Sequence, residues 1–309
     1  MKTIFVVNPA AGKGKHREAV LNSLQSLGDQ AEIYITTASG DAERYVKAYC
    51  QEHGAARFIA CGGDGTLSEV LNGAIGCDGA EIGVFPTGTG NDFIRNFPDA
   101  DFQDISLQIT GKAVSCDAIH YRTTVNGEVK EGYCANMFNI GFDCAVADLT
   151  ATVKKKTFFF GSAAYFIAIL LTLIRKKCYF MVVDTDGEEK FRGDLLLTSL
   201  ANGCFCGGGI KSNPMASVSD GLISINIIRN VSHLRFISLL PSYMKGTYMK
   251  KKGIERIIMS QKCKKVSVSP ENDTMRFCVD GEVTDGGDTE FEIVCDAFRF
   301  VVPSKEENR

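Results

Sequence analysis

Arg57-Phe58-Ile59-Ala60-Cys61-Gly62-Gly63-Asp64-Gly65-Thr66-Leu67-Ser68-Glu69 decides how the first part of the chain folds. Arg57–Cys61 is an apolar run without alternation, which predicts a strand of a parallel sheet covered on both faces. From Thr66 onward, Thr66-Leu67-Ser68-Glu69-Val70-Leu71-Asn72 reads as the first turns of a helix, with Thr66 as its cap. The glycines between them allow positive φ and a close approach of backbone to ligand. Free amides at a helix start favour an anion. Asp64 sits inside this phosphate-sized loop, and an aspartate beside phosphates makes sense when Mg²⁺ joins them.

Two further loops repeat the pattern. The strand Glu81–Phe85 breaks at Pro86-Thr87-Gly88-Thr89-Gly90-Asn91-Asp92-Phe93, again leading glycines and hydroxyls to an aspartate, with Arg95 close behind as a phosphate partner. The opening strand Thr3–Val7 runs into Asn8-Pro9-Ala10-Ala11-Gly12-Lys13-Gly14-Lys15. That loop lacks the GxxxxGK[ST] spacing, and none of the three completes GxGxxG. Three such loops at the carboxyl ends of strands, where open α/β sheets bind ligands, point to a nucleotide site.

The strings Asn8–Gly12, Gly62–Gly73 and Pro86–Phe93 resemble the catalytic domain shared by bacterial diacylglycerol kinases, sphingosine kinases and ceramide kinases. The likeness runs through nearly the whole chain. Asn139-Ile140-Gly141-Phe142-Asp143 resembles the start of that family's second domain. Gly207–Gly209, Pro214–Ala216 and Asp220–Leu222 resemble its metal-bearing segment, and Val279-Asp280-Gly281-Glu282 its catalytic turn. NAD kinases and phosphofructokinases share the glycine–aspartate loop, whereas Gly88-Thr89-Gly90-Asn91-Asp92-Phe93 and the late Asp280-Gly281-Glu282 favour the lipid kinases. Ser68 stands where the family usually has asparagine, and Cys204-Phe205-Cys206 is individual to this chain.

The resemblance implies an α/β plus all-β fold of the NAD kinase/diacylglycerol kinase kind. A Rossmann-like nucleotide-binding domain is expected over 1–121, with 296–309 returning to it, and an antiparallel β-sandwich lipid-binding domain with helices over 122–295. It implies an ATP-dependent phosphotransferase acting on a lipid hydroxyl, with diacylglycerol as the default acceptor. ATP would be held by Asn8, Pro9, Ala10, Ala11, Gly12, Thr36, Gly63, Asp64, Gly65, Thr66, Leu67, Ser68, Glu69 and Thr89. Asp64 and Asp92 would organise the catalytic Mg²⁺, Glu282 would be the general base facing the cleft between domains, and Asp117 would tune Glu282 or the metal. Asp220, with the carbonyl oxygens of Ser217 and Leu222, would hold a second, structural Mg²⁺. Two other readings stay open: an NAD kinase-like kinase of a soluble hydroxyl compound, and a non-catalytic nucleotide-binding regulator, against which Asp64, Asp92, Asp117 and Glu282 argue.

Composition agrees with a globular enzyme. The 309 residues are 45% hydrophobic and 23% charged, enough for two domains. A net charge of −3 gives no case for nucleic acid. The 12 cysteines lack paired zinc spacing and read as reduced core residues. The histidines His16, His53, His120 and His233 show no metal spacing. With no signal sequence before the first strand, the expected place is the cytoplasm, peripheral to the inner face of the membrane where the lipid lies. Oligomeric state, a homodimer included, is not legible.

The chain changes character near residue 115. Before it, amphipathic stretches His16–Leu27 and Asp41–His53 alternate with strands. After it come hairpins, Val114–Val125 with Val129–Phe138 across Asn126-Gly127, and Tyr179–Thr185 with Lys190–Asn202 across Asp186-Gly187. A last strand is expected over Phe291–Pro303. The uncharged stretch Thr157–Ile174, flanked by Lys154–Lys156 and Arg175–Lys177, reaches the lower limit of a membrane span, but basic residues on both flanks and its polar members favour a buried helix lining an apolar pocket.

Overall fold

A computed structural model describes residues 1–14, 21–22, 24–25, 27–141, 178–271 and 274–304. The segment Thr157–Ile174 lies outside the described residues, as does most of the helix expected over 16–27. Of the latter, Leu21, Leu24 and Leu27 are described and pack with Phe5, Val7, Ile59 and Phe85. The chain divides into two units: Met1–Asp117 together with the stretch from Cys295, and Ala118–Val294.

The first unit is built on β1 (Thr3–Val7), β2 (Glu32–Ile35), α1 (Asp41–His53), β3 (Arg57–Gly62), α2 (Asp64–Ala74), β4 (Glu81–Pro86) and α3 (Ile105–Thr110). Its strands are all parallel in the order β4-β3-β1-β2. The central strands are buried along their whole length, hence the unbroken apolar runs. Arg57 is the exception that the apolar pattern must accommodate. It opens β3 opposite Glu81 at the start of β4, and its Nε and Nη2 donate to Glu81 Oε2 at 2.8 and 2.6 Å. This buried pair sits at the end of the strands away from the three loops. Gly73 lets α1 and α2 pack closely, since a Cβ there would come within 2.6 Å of the Glu43 carbonyl.

The second unit is antiparallel. After the long β5 (Lys112–Val125), it comprises β6 (Glu128–Cys134), β7 (Met137–Gly141), β8 (Tyr179–Thr185), β9 (Glu188–Ala201), β10 (Ile223–Arg229), α4 (His233–Met244), β11 (Ile258–Cys263), β12 (Lys265–Pro270), β13 (Met275–Val279) and β14 (Glu282–Gly286). Both expected hairpins form. Asn126 and Gly127, and likewise Asp186 and Gly187, take positive φ at both turn positions, the geometry that matches strand twist. One expected strand is corrected: Val129–Phe138 is two strands, β6 and β7, broken at Ala135-Asn136. β9 is the central wall. Leu195 and Leu200 enter one hydrophobic cluster and Leu196 and Leu197 another, so this strand too reads without alternation.

The last strand, β15 (Thr289–Val302), starts in the second unit, pairing with β12, and ends in the first, where Arg299 and Phe300 pair parallel with Glu81 and Ile82 of β4. Phe300 is fully buried and meets Phe93 edge-on at 4.8 Å and Phe97 at 5.1 Å. The returning strand thereby fixes the loop that carries Asp92.

Candidate active site

Every loop singled out in the first unit leaves the carboxyl end of a parallel strand: Asn8–Gly12 after β1, Thr36 after β2, Gly63 after β3 and Thr87–Asp92 after β4. They are tied to one another before any ligand is considered. Asn8 donates from Nδ2 to Thr66 Oγ1 at 3.1 Å and accepts the Ala10 amide at 3.0 Å. Thr36 donates its amide to the Val7 carbonyl at 2.9 Å. Thr87 and Gly88 both donate to the Gly62 carbonyl, at 2.9 and 3.0 Å.

The glycines act differently from the expectation. Gly12 has a φ of 58°, but Gly62, Gly63, Gly88 and Gly90 are not among the residues with positive φ. They are needed for space: Gly63 and Gly88 pack backbone on backbone, Gly62 leaves room for the Thr66 side chain and Gly90 for the Asp64 carboxylate. A Cβ on Gly88 would lie 2.4 Å from the Gly63 Cα, and one on Gly12 would lie 2.4 Å from the Thr87 carbonyl oxygen. The helix start is corrected as well. Gly63 is the N-cap and α2 begins at Asp64, so Thr66 lies inside the first turn with its hydroxyl engaged by Asn8. The first helical bond runs from Leu67 to Gly63, leaving the Gly65 and Thr66 amides ahead of it, as an anion site requires.

Asp64 and Asp92 come together at Gly90. The Asp64 carboxylate accepts the amides of Asn91 and Asp92, each at 2.8 Å. A Cβ on Gly90 would stand 2.4 Å from Asp64 Oδ2 and 3.7 Å from Asp92 Oδ2, so both carboxylates front the same glycine. Burial pushes the Asp64 carboxyl above its ordinary range, against the pull of the two amide bonds. Arg95 reaches Asp92 Oδ1 at 3.5 Å and supplies one positive charge. Two converging carboxylates, one of them desolvated, form a donor set that fits a hard divalent cation.

Other members of the set have structural work. Glu69 accepts the amides of Gly40 at 2.8 Å and Ala42 at 3.1 Å, so its two oxygens hold the start of α1 rather than facing a ligand unpaired. The Ser68 carbonyl accepts from Asn72 Nδ2 at 2.8 Å. Pro9, Ala10 and Ala11 lie on the loop after β1, Leu67 is buried, and Thr89 is exposed on the β4 loop. Asp117 is buried and accepts the Asp296 amide at 3.0 Å, tying β5 to the returning β15.

Glu282 belongs to the second unit. It is exposed and opens β14 directly after the Asp280-Gly281 turn, whose two residues both have positive φ. The turn is held by Asp280, to which sequence alone assigns no role. Its buried carboxylate accepts the amides of Ala135, Asn136 and Met137, each at 3.0 Å. These three bonds also break the β6–β7 run, since amides given to a carboxylate cannot join a ladder. Asp280→Asn retains one acceptor oxygen and leaves the amides at the other facing an NH₂ group. Calorimetry should show a loss of about 1–3 kcal/mol of stability, the cost of a buried donor without a partner. No change in melting would mean that the turn is held by its strands alone.

The second Mg²⁺ does not fit the residues proposed for it. Asp220 is the carboxylate of that set; its Oδ2 is ion-paired with Lys262 and its Oδ1 accepts the Leu222 amide at 3.2 Å. Ser217 and Leu222 would add only carbonyl oxygens. A divalent ion here would have to displace an ammonium from the same carboxylate. We expect any effect of Mg²⁺ on the melting temperature to be the same in wild type and Asp220→Ala, and Lys262→Met to lower the melting temperature. A rise on adding Mg²⁺ that Asp220→Ala abolishes would restore the ion.

In the second unit, an open cavity of about 640 Å³ is lined by Val125, Tyr179, Phe180, Met181 and Met275, with Asp194 and Arg276 among its polar members. Its volume is in the range of small-molecule sites.

Comparison with known proteins gives the family and the fold. The family model described as "Diacylglycerol kinase catalytic domain" matches residues 2–121, and "YegS C-terminal NAD kinase beta sandwich-like domain" matches 136–302. The protein named "Probable lipid kinase YegS-like" from Serratia proteamaculans (strain 568) is 31% identical over 311 residues, covering 97% of this chain and 93% of the relative. The chain belongs to the YegS-like lipid kinases. "Lipid kinase YegS" of Escherichia coli (strain K12) is 34% identical over 221 residues, 68% of either chain. As a lipid kinase, this protein is a phosphotransferase with an alcohol acceptor, and its kinase domain implies the use of ATP. Fold likeness extends more widely. A diacylglycerol kinase from Bacillus anthracis str. Sterne superposes with a TM-score of 0.68 at 20% identity, over 97% of this chain and 96% of that one. An NAD kinase from Archaeoglobus fulgidus in complex with ATP gives 0.50 at 14% identity, over 99% and 94%. No helix among the described residues is long and apolar enough to cross a membrane.

Proposed function

We propose that this lipid kinase transfers the γ-phosphate of ATP to the free hydroxyl of diacylglycerol, giving phosphatidic acid. The observation that carries the reading is the convergence of Asp64 and Asp92 at Gly90, beside the first turn of α2. Phosphoryl transfer asks a protein chiefly for positioning and charge neutralisation. The amides of Gly65 and Thr66 and the loops at Asn8–Gly12, Thr36 and Thr89 would receive the phosphates and ribose. Asp64 and Asp92 would hold Mg²⁺, which neutralises the charge of the phosphates when bound. Arg95, tied to the Gly90 carbonyl at 3.2 Å, keeps the loop between the two aspartates in place.

Glu282 is the group proposed to take the proton of the acceptor hydroxyl. Asp280 fixes the turn beneath it, so the base is presented on backbone that is clamped at three amides. Asp117 is a positioning residue for the returning strand. The cavity lined by Val125, Phe180 and Met275 suits an apolar body in size and in part of its lining. Diacylglycerol is chosen because the matched catalytic domain carries that name; sphingoid bases, phosphatidylglycerol and isoprenoid alcohols also offer a primary hydroxyl on a largely apolar molecule. Peripheral contact with the inner face of a membrane follows from such a substrate.

The test is mass spectrometry of products from a panel of those lipids in mixed micelles with ATP and Mg²⁺. Phosphatidic acid as the main product is expected. Efficient phosphorylation of another member, with diacylglycerol untouched, would overturn the choice of acceptor.

A further inference from the structure

Helix α4 carries apolar residues on two faces. Phe236, Leu239, Leu240 and Tyr243 are buried in the core of the second unit. Leu234 and Ile237, by contrast, are 82% and 48% exposed, and Pro241 continues their stripe one turn on. Their spacing of three and four residues puts them side by side along one face. Met249, just beyond the helix, is 40% exposed. A core-facing helix has no need of this second stripe, and exposed apolar groups gathered on one patch mark an interaction surface.

The charge around the stripe is opposite to that of the chain. Residues 231–257 hold six basic residues, Arg235, Lys245, Lys250, Lys251, Lys252 and Arg256, against one acidic residue, Glu255, while the whole protein has a net charge of −3. All six are exposed. The two parts form one surface, because Lys251 Nζ donates to the Ser238 carbonyl of the helix at 3.3 Å. Apolar side chains flanked by lysines and arginines are the composition that binds an anionic bilayer: the apolar groups enter the headgroup boundary and the cations meet the phosphates.

We propose that the exposed stripe of α4 and the basic segment Lys245–Arg256 form a docking surface for the face of an anionic phospholipid bilayer. The occupant is argued from charge complementarity. A second copy of this chain, itself acidic overall, would have to bring an acidic patch against it. The proposal deepens the lipid-kinase reading, on which its purpose rests, by naming the surface through which the enzyme would reach its substrate.

Flotation of the full chain with vesicles tests it without reference to catalysis. Vesicles of phosphatidylglycerol and phosphatidylcholine should carry the protein at low salt, and vesicles of phosphatidylcholine alone should not. The triple variant Lys250→Glu, Lys251→Glu, Lys252→Glu should lower partitioning on the order of a hundredfold. Leu234→Ser with Ile237→Ser should lower it with the charges intact. Both variants change only exposed side chains and should retain wild-type turnover of a short-chain diacylglycerol dispersed below its aggregation limit. Equal flotation of the variants and wild type would overturn the proposal. So would a wild-type dimer in solution that the serine variant makes monomeric, which would assign the stripe to a second copy. A protein that floats as expected but phosphorylates no lipid would leave this surface standing and remove the proposed function instead.

Discussion

Glu282→Gln should lower turnover by about 10²–10⁴-fold, the usual cost of losing a general base. Glutamine keeps the size and hydrogen-bonding capacity of the side chain but cannot accept a proton at neutral pH. The fold should be unaffected, because Glu282 is exposed and the turn that presents it is held by Asp280. Nucleotide affinity should also be preserved, since the loops proposed to bind ATP belong to the first unit. Turnover and nucleotide binding, measured side by side, separate the roles. A variant within about threefold of wild-type turnover would remove Glu282 as the base.

Asp64→Asn should fail in a different way. The aspartate accepts two amides, one on each oxygen, and asparagine can accept only one. The other amide would face an NH₂ group, at a cost of about 1–3 kcal/mol. The cation site would lose one of its two carboxylates, so turnover should fall by at least about 10²-fold, as for loss of an electrostatic group at a transferring phosphate. Raising Mg²⁺ should recover part of that loss, whereas Glu282→Gln should show no such recovery. Identical Mg²⁺ dependence in the two variants would contradict the separate assignments.

Acid should expose the same group. Burial raises the Asp64 pKa, so the cation-free fold gains stability from the bound proton below the unfolded value, and loses it as pH rises through the folded value. Cation binding draws on the ionised form. On acidification, Mg²⁺-dependent turnover should therefore begin to fall at a higher pH than an ordinary aspartate would dictate.

Much of the fold was legible because its signals are local. The uninterrupted apolar runs of β1, β3 and β4 report burial on both faces, and Asn126-Gly127 and Asp186-Gly187 report turns that need positive φ. The helix Asp41–His53 forms with the expected bounds. The loops mark Asp64 and Asp92 as candidates, but their proposed roles and that of Glu282 rest on the resemblance, since an aspartate after glycine is as good a turn residue as a ligand.

What stayed hidden depends on partners distant in the chain. Asp280 meets Asn136 across 144 positions, and no local pattern marks a carboxylate that caps a distant turn. Glu69 looks like a phosphate-loop residue until the Gly40 amide, 29 positions earlier, takes its oxygen. Asp220 looks like a metal ligand until Lys262, 42 positions later, neutralises it. The glycines after β3 suggest freedom of φ and close approach to a ligand. At Gly63, Gly88 and Gly90 the constraint is instead the approach of one loop to the other, which sequence does not display.

Phosphate transfer from γ-labelled ATP, with micellar diacylglycerol and NAD offered together in one reaction, tests the central claim most directly. Label in the lipid phase, dependent on Mg²⁺ and abolished by Glu282→Gln, is the expected result. Label in the nucleotide product with none in the lipid phase would contradict it.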